Sequence, residues 1–242
     1  MIRCFTTVLI LASALVSAGC LKKDLRDTID LIESSLNQAQ LSETEVANGL
    51  KDAVLRGIEK GSRLAAAKNG YLENPDLKIG IPPEARKVEE ALRQIGLGRE
   101  VDRFVTQLNR AAEQAAGKAM PIFVNAISAM TISDAFGILN GADDAATQYL
   151  AQATGDDLYN TFLPVVSDTL NQTRATRHYR DIVSRYNQLP GVKPVDPRLD
   201  AYATREAIQG LFLLMAREEA NIRADPRART TELLRRVFGS LD

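Results

Sequence analysis

The sequence predicts an all-α fold: a single compact multi-helix domain. Three observations carry that expectation. Apolar side chains recur at steps of three and four along most of the chain. The segments they mark are bounded by capping residues, glycines and prolines. Only one short stretch, residues 77–81, alternates as a strand would, and it has too few neighbours to build a sheet. About nine to eleven helices are expected, with a buried central helix near 204–223.

The first stripe is Leu25, Ile29, Ile32 and Leu36, with polar residues around it. It fits a helix packed on the body, a stalk between membrane and domain, or a short coiled-coil seam. Ser42-Glu43-Thr44-Glu45 is a capping box, and a long helix to about Lys68 should follow it. Val46, Leu50, Val54 and Ile58 form its apolar stripe, and Ala53, Gly57, Gly61 and Ala65 run beside them. An interior glycine costs about 1 kcal/mol against alanine. Two on one face therefore suggest a second helix packed very close, although a backbone-lined ligand groove would use them too. Under the packing reading a bulky residue at Gly57 overfills the contact.

Asn69-Gly70 ends this helix, and Pro75, Pro82 and Pro83 forbid helix through the next stretch. Leu77, Ile79 and Ile81 alternate there, which reads as an extended segment laid along the helices. Pro83-Glu84 opens a helix that ends near Gly96 and Gly98. Val101, Phe104, Val105, Leu108, Ala111, Ala112, Ala115 and Ala116 mark a strong amphipathic one. Pro121 suits the first residue of the next, and Thr131 or Ser133 can cap a short one stopping at Asn140-Gly141. Asp143 and Asp144 begin another, running towards Gln152; Asp156-Asp157 begins a further one, bent or split at Pro164. Residues 174–188 are helical, and 189–198, with three prolines, are a loop. Leu211-Phe212-Leu213-Leu214-Met215-Ala216 is apolar on every side, so its helix should be buried all round. Asp225-Pro226 breaks it, and Thr230 or Thr231 starts a last helix carrying Leu233, Leu234, Val237 and Phe238.

Composition narrows the function. With 30 basic against 31 acidic side chains, nothing favours nucleic acid as a partner. One histidine, His178, and two cysteines cannot organise a His/Cys metal site or a disulfide framework.

The N-terminus reads as an export signal. Residues 4–21 carry no charge, but the strongly apolar part is only 8–16, with Ser17, Ala18 and Gly19 after it. A membrane span would need roughly 20 predominantly apolar residues. Ser17-Ala18-Gly19-Cys20 resembles a bacterial lipobox, although leucine is usual where Ser17 stands. The resemblance implies cleavage after residue 19, lipidation of Cys20, and a mature chain anchored by lipid. Leu21, at position two of that chain, implies the outer membrane rather than the inner, because inner-membrane lipoproteins of many Gram-negative bacteria carry Asp there. Ordinary cleavage at Ala18, giving a soluble periplasmic protein, and an uncleaved anchor are the alternatives. The expected organisation is a signal peptide over 1–19, lipid anchor and amphipathic helix over 20–40, and a helical domain over 41–242.

Several motifs resemble a bacterial family known only as domain-of-unknown-function family 4197. They are Leu41-Ser42-Glu43-Thr44-Glu45 with Gly49-Leu50, Asn74-Pro75 with Ile79 and Pro82, and Asn109-Arg110-Ala111-Ala112-Glu113. Leu139-Asn140-Gly141-Ala142-Asp143-Asp144-Ala145-Ala146-Thr147, Gly210-Leu211-Phe212, Ile222-Arg223 and Val237-Phe238-Gly239 complete the set. Ala142 stands where that family often has a second glycine. The resemblance implies an exported helical protein and brings no activity, substrate or catalytic residue.

Two polar groups are candidate ligand sites. Asp143 and Asp144, with Asp134 nearby in sequence, could hold a divalent cation; the competing reading is that they cap a helix start. Asn109, Arg110 and Glu113 could position a ligand inside an alanine-rich helix, or could join helices together. His178 reads as a surface residue, and no nucleophile–base pair, phosphate loop or zinc motif is present, so no catalytic residue, metal or cofactor is expected. Arg223, Arg227, Arg229, Arg235 and Arg236 make the C-terminal end basic, as a solvated face or an anionic-lipid contact.

Three functions remain. First is a lipid-anchored binding or structural protein of the cell envelope, non-catalytic, meeting an unknown envelope protein in the periplasm. Second is a carrier of a small hydrophobic ligand, which needs an apolar cavity of roughly 300 Å³ or more. Third is an enzyme of unrecognised type, which needs a cleft where acidic and basic groups converge.

Overall fold

The computed structural model describes residues 42–225, apart from 95, 172, 173, 189 and 192. The signal, Cys20, the stripe at 25–36, the helix after Thr230, the arginines beyond Arg223 and the side chain of His178 lie outside the described residues. Among the described residues eight α-helices run in order. They are α1 Glu43–Ala66, α2 Arg86–Gln94, α3 Gly98–Ala116, α4 Met120–Ala129, α5 Ile132–Leu139, α6 Ala145–Asn171, α7 Arg174–Tyr186 and α8 Leu199–Ala224. A single 3-10 turn, Pro83–Ala85, leads into α2, and no strand occurs among the described residues.

The chain divides into two units, residues 1–45 and 46–242. Of the first, the described part is the capping box. The Glu45 N–H donates to Ser42 Oγ at 3.2 Å and the Ser42 N–H donates to the Glu45 carboxylate at 2.8 Å.

The second unit is one all-α domain built on three long helices. α8 packs most extensively on α6, and α3 packs on both. The alanine face of α3 explains how: Ala111, Ala112, Ala115 and Ala116 are fully buried, and small side chains let two partners approach one helix. Leu108, Leu158, Phe162 and Leu211 fill the remaining volume with no exposed surface. α4 and α5 lie on α6, α7 on α3 and α6, and α2 on α3. Gly57 and Gly61 are buried where α1 meets α8. A Cβ on Gly61 would sit 3.4 Å from the backbone nitrogen of Met215, whereas one on Gly57 would meet only the tip of Ile222 at 3.6 Å. Close backbone packing thus belongs to Gly61, and Gly57 has room.

Several expectations change. The helices expected after Asp143 and after Asp156 are one continuous helix, α6, with Pro164 inside it. Thr154, just before Asp156-Asp157, lies inside that helix and sends its hydroxyl back to the Leu150 carbonyl at 2.6 Å. Pro164 lies on the exposed side, where the carbonyl it leaves without a donor meets water. α8 begins at Leu199, earlier than expected, and is not buried all round: Leu213 is 38% exposed. The stretch at 77–81 is as expected: it buries Leu77 and Ile79 and builds no sheet. Among the described residues no single helix is long and apolar enough to cross a membrane; α4 and α5 reach that composition only together, across a bend of 106°.

Candidate functional site

Asn109, Arg110 and Glu113 come together on one side of α3, and their partners lie on the segment following α1. Asn109 has no exposed surface. Its side chain accepts from the Ile79 N–H and donates to the Ile79 carbonyl, both at 2.9 Å. An amide side chain thereby does for Ile79 what a neighbouring strand would do, satisfying both backbone groups at once. Glu113 accepts from the Tyr71 and Leu72 N–H groups at 3.3 and 3.4 Å and pairs with Arg110 at 2.5 Å. Arg110 reaches on to the Asn69 side chain. Tyr71, wholly buried, donates its hydroxyl to the Ala207 carbonyl of α8 at 2.5 Å. Burial and the Glu113 carboxylate push the Tyr71 phenol far up, so it stays protonated. These groups strap the 69–79 segment onto α3 and α8.

Asp143 and Asp144 share no hydrogen bond with that cluster. They lie in the turn between α5 and α6, where Asp144 accepts from Gln148 at 2.8 Å. Asp134 is engaged elsewhere, in a capping box with Thr131, and those hydrogen bonds hold its carboxyl below the usual range. The start of α6 is capped from α8: Glu219 accepts from the Ala146 N–H, the Thr147 N–H and the Thr147 hydroxyl, each at 2.9 Å. Arg223, one turn on, pairs with Glu219 and donates to the Ile138 carbonyl at 2.8 Å, at the end of α5. Opposite helix ends thus receive opposite charges, as their dipoles favour. No group of three or more His, Cys, Asp or Glu among the described residues is placed to hold a metal ion.

Charged groups also converge elsewhere, in a cleft of about 460 Å³. One wall is Pro82, Pro83 and Glu84, at the 3-10 turn before α2. Another is the loop 193–198. The third is the first two turns of α8, through Tyr202, Arg205 and Glu206. The spacing of three and four places those last residues on one side of the helix. The loop wall is fixed: Asn187, just past α7, exchanges two hydrogen bonds of 2.8 Å with the backbone of Val195. Asp196 pairs with Arg198 at 2.9 Å, and that guanidinium lowers its carboxyl pKa.

One polar side chain of the cleft, and one outside its lining, lack partners among the described residues. Glu206 is half-buried and makes no hydrogen bond or ion pair among the described residues; desolvation pushes its pKa up, with Arg205 opposing. Tyr179 of α7 is 7% exposed, stacks on Phe104 at 6.3 Å between centroids, and its hydroxyl has no hydrogen-bond partner. Burial, then Asp196 and Glu84 of the cleft walls, pushes its phenol up to about 12. Tyr202 is raised to about 12 by burial and by Glu206 and Glu84. Both phenols are therefore protonated at neutral pH, able to donate or accept a hydrogen bond.

A family model described as a protein of unknown function, DUF4197, matches residues 40–239. The chain belongs to the DUF4197 family. No curated protein and no solved structure matches it. Of the motifs that resembled this family, Asn109 to Glu113 supplies the strap, and Leu139 to Thr147 with Ile222-Arg223 supplies the joint between α5, α6 and α8. Gly210 has a role in the strap as well, because a Cβ there would lie 2.8 Å from the Tyr71 ring.

Sequence reasoning missed Tyr179, Tyr202, Glu206 and Glu219. One signal was present: Tyr202 and Glu206 are a polar i, i+4 pair on a mostly apolar helix. Their cleft partners at 82–84 lie more than a hundred residues away, which no local pattern reveals.

Proposed function

We propose that this DUF4197 protein is a lipid-anchored component of the bacterial cell envelope, held at the outer membrane through Cys20 and facing the periplasm, with a non-catalytic binding role exercised in the 460 Å³ cleft. The observation that carries the binding role is Glu206, a half-buried carboxylate on the cleft wall with no hydrogen bond or ion pair among the described residues. Buried polar groups are normally paired. A cleft that leaves a carboxylate unpaired, beside a loop wall fixed by hydrogen bonds, is prepared for a ligand that pairs it. The anchor rests on Ser17-Ala18-Gly19-Cys20 and Leu21.

The strap residues are spent on internal hydrogen bonds, so their role in this reading is structural. A hydrophobic carrier has less support. The apolar space between α1, α6 and α8 holds about 30 Å³, room for a water rather than a lipid chain. An enzyme draws on the same cleft, since Glu206 with its raised pKa stands beside Arg205; chemical change of the bound molecule would establish it.

A photo-crosslinking residue in place of Tyr202, in intact cells, tests the cleft. Adducts should form there and be absent when the residue replaces exposed Gln152 on α6. The same adducts at both positions, or none at Tyr202, would refute the binding role. Substituting Cys20→Ser should release the protein from membranes and abolish labelling with palmitate; unchanged labelling would refute the anchor.

A further inference from the structure

We infer that the corner formed by α4 and α5 rests on the bilayer surface, its exposed apolar side chains entering the boundary between head groups and acyl chains. The inference rests on the lipid anchor proposed above for the presence of a bilayer, and on the corner's own geometry for the contact. It begins with composition. From Ala119 to Ala142 the only charged residue is Asp134, in a chain where 25% of residues are charged. Apolar helices usually spend that character in a core. These two do not: only Phe123 and Ile127 of α4, and Ala135, Ile138 and Leu139 of α5, are buried. Val124 is 41% exposed on one arm and Ile132 43% on the other. Every exposed residue between Pro121 and Gly137 is uncharged.

The second, independent observation is that polar groups of the corner are turned onto its own atoms. The Ser128 hydroxyl donates to the Val124 carbonyl at 2.7 Å, and the Asn140 amide to the Phe136 carbonyl at 3.0 Å. The Thr131 N–H and hydroxyl both donate to the Asp134 carboxylate, at 2.9 and 2.7 Å. Groups paired in this way lose less on leaving water than groups that water alone satisfies. The bend of 106° keeps the pair from crossing as one span and suits a corner laid in the interface. Its position agrees. α1 runs antiparallel to α8, since Gly57 faces Ile222 and Gly61 faces Met215. The start of α1 therefore lies with the end of α8, where Arg223 donates to the Ile138 carbonyl of α5. The chain leading back to Cys20 enters the second unit at that end. Fully extended, residues 21–41 reach roughly 70 Å. A tether of that order keeps the corner at high local concentration near the bilayer, so a modest apolar contact suffices. An uncharged protein face is the other occupant such a corner fits, but only the bilayer is tied by the anchor to this end of the molecule.

The mature chain, purified from membranes and reconstituted on phosphatidylcholine vesicles, tests this. Val124→Cys, Ile132→Cys and, as a control, Gln209→Cys, exposed on α8, each carry a nitrobenzoxadiazole dye. The only other cysteine of the mature chain is Cys20, so dye uptake by the parent reads the anchor separately: an acylated Cys20 takes none. The dyes at 124 and 132 should emit to the blue of the dye at 209. Spin-labelled acyl chains should quench them at least threefold more. Val124→Glu, with helix content checked by circular dichroism, should move the dye at 132 back towards the emission at 209. Equal emission and quenching at the three positions overturns the inference. So does shielding of position 132 in intact cells but not on vesicles, which gives the face to a protein partner. If the parent takes up dye, the anchor fails, and the same dyes on the Cys20→Ser chain with excess vesicles put the question to the corner alone.

Discussion

Replacing three buried glycines by alanine, one at a time, should give three different outcomes set by the neighbour each new methyl meets. At Gly210, in the middle of α8, the Cβ would lie 2.8 Å from Cε1 of Tyr71 and 3.2 Å from Cγ of Leu77. The ring cannot move freely. It has no exposed surface, its hydroxyl is bonded to the Ala207 carbonyl, and its backbone N–H is bonded to Glu113. An ordinary contact requires a shift of roughly half an ångström or more, at the expense of the phenol bond. Overpacking costs about 1–3 kcal/mol, the lost hydrogen bond about 1 kcal/mol, and alanine returns about 1 kcal/mol through helix propensity. Gly210→Ala should therefore lose about 1–3 kcal/mol. At Gly61 the methyl meets Met215 at 3.3 Å through Cγ and 3.4 Å through the backbone nitrogen, so crowding and propensity should nearly cancel. At Gly57 it meets Ile222 Cδ1 at an ordinary 3.6 Å, and the alanine should stabilise by up to about 1 kcal/mol. Gly57→Leu must push past Ile222 and should cost about 1–3 kcal/mol. Urea unfolding followed by far-UV circular dichroism reads the order as shifts in midpoint at constant slope. A Gly210→Ala variant as stable as the parent, or less destabilised than Gly57→Ala, would refute the reasoning.

Other expectations can be measured on the same footing. Glu219→Ala leaves the Ala146 and Thr147 N–H groups without their acceptor and should cost about 1–3 kcal/mol by the same unfolding assay. Thr131→Ala removes the cap of α5 and should cost about 1 kcal/mol. Asp134, its pKa lowered by Thr131, contributes stability that is present above the ordinary carboxylate pKa and lost as pH falls through its lowered folded value. A pH series of melting temperatures should therefore show less acid loss in Thr131→Ala than in the parent. Glu206 has the opposite sign: its folded pKa is raised, so its charge opposes folding at neutral pH and that penalty fades as pH falls. Glu206→Gln should melt higher than the parent at pH about 7 and no higher well below the ordinary carboxylate pKa of about 4.

The helices were legible because their signals are local. The capping box at Ser42, the cap at Thr131 and the alanine face of α3 each lie within a few residues, and each forms as its pattern demands. Where a local signal failed, a local competitor won. Asp156-Asp157 looks like a helix start, but a start needs a free cap before it. Here the helix begun at Ala145 runs through both aspartates, and Thr154, the residue two before them, lies buried inside it with its hydroxyl on the Leu150 carbonyl. Leu213 failed for a different reason. Six apolar residues in succession cover every side of a helix, yet only neighbours can bury them. α8 has α6, α3 and α1 around it and leaves one side to water.

The candidate site was legible by half, and the division follows sequence distance. Asn109, Arg110 and Glu113 stood out because polar residues on an alanine face need partners. Which partners they take is decided by the chain 30 and 42 residues earlier, at Ile79 and Tyr71. Once those bonds are seen, the ambiguity between ligand site and helix joint narrows by satisfaction: Asn109 makes three hydrogen bonds, to Ile79 twice and to Val105. A side chain so occupied must break protein bonds before it can hold anything else, at a cost of about 1 kcal/mol each. Glu206, on the cleft wall, has no such bonds to break among the described residues. Ligand binding there replaces water or nothing, so the same number of new contacts yields more affinity. That difference in what must be given up, rather than the number of polar residues in a motif, is why the cleft and not the motif is the better candidate for function.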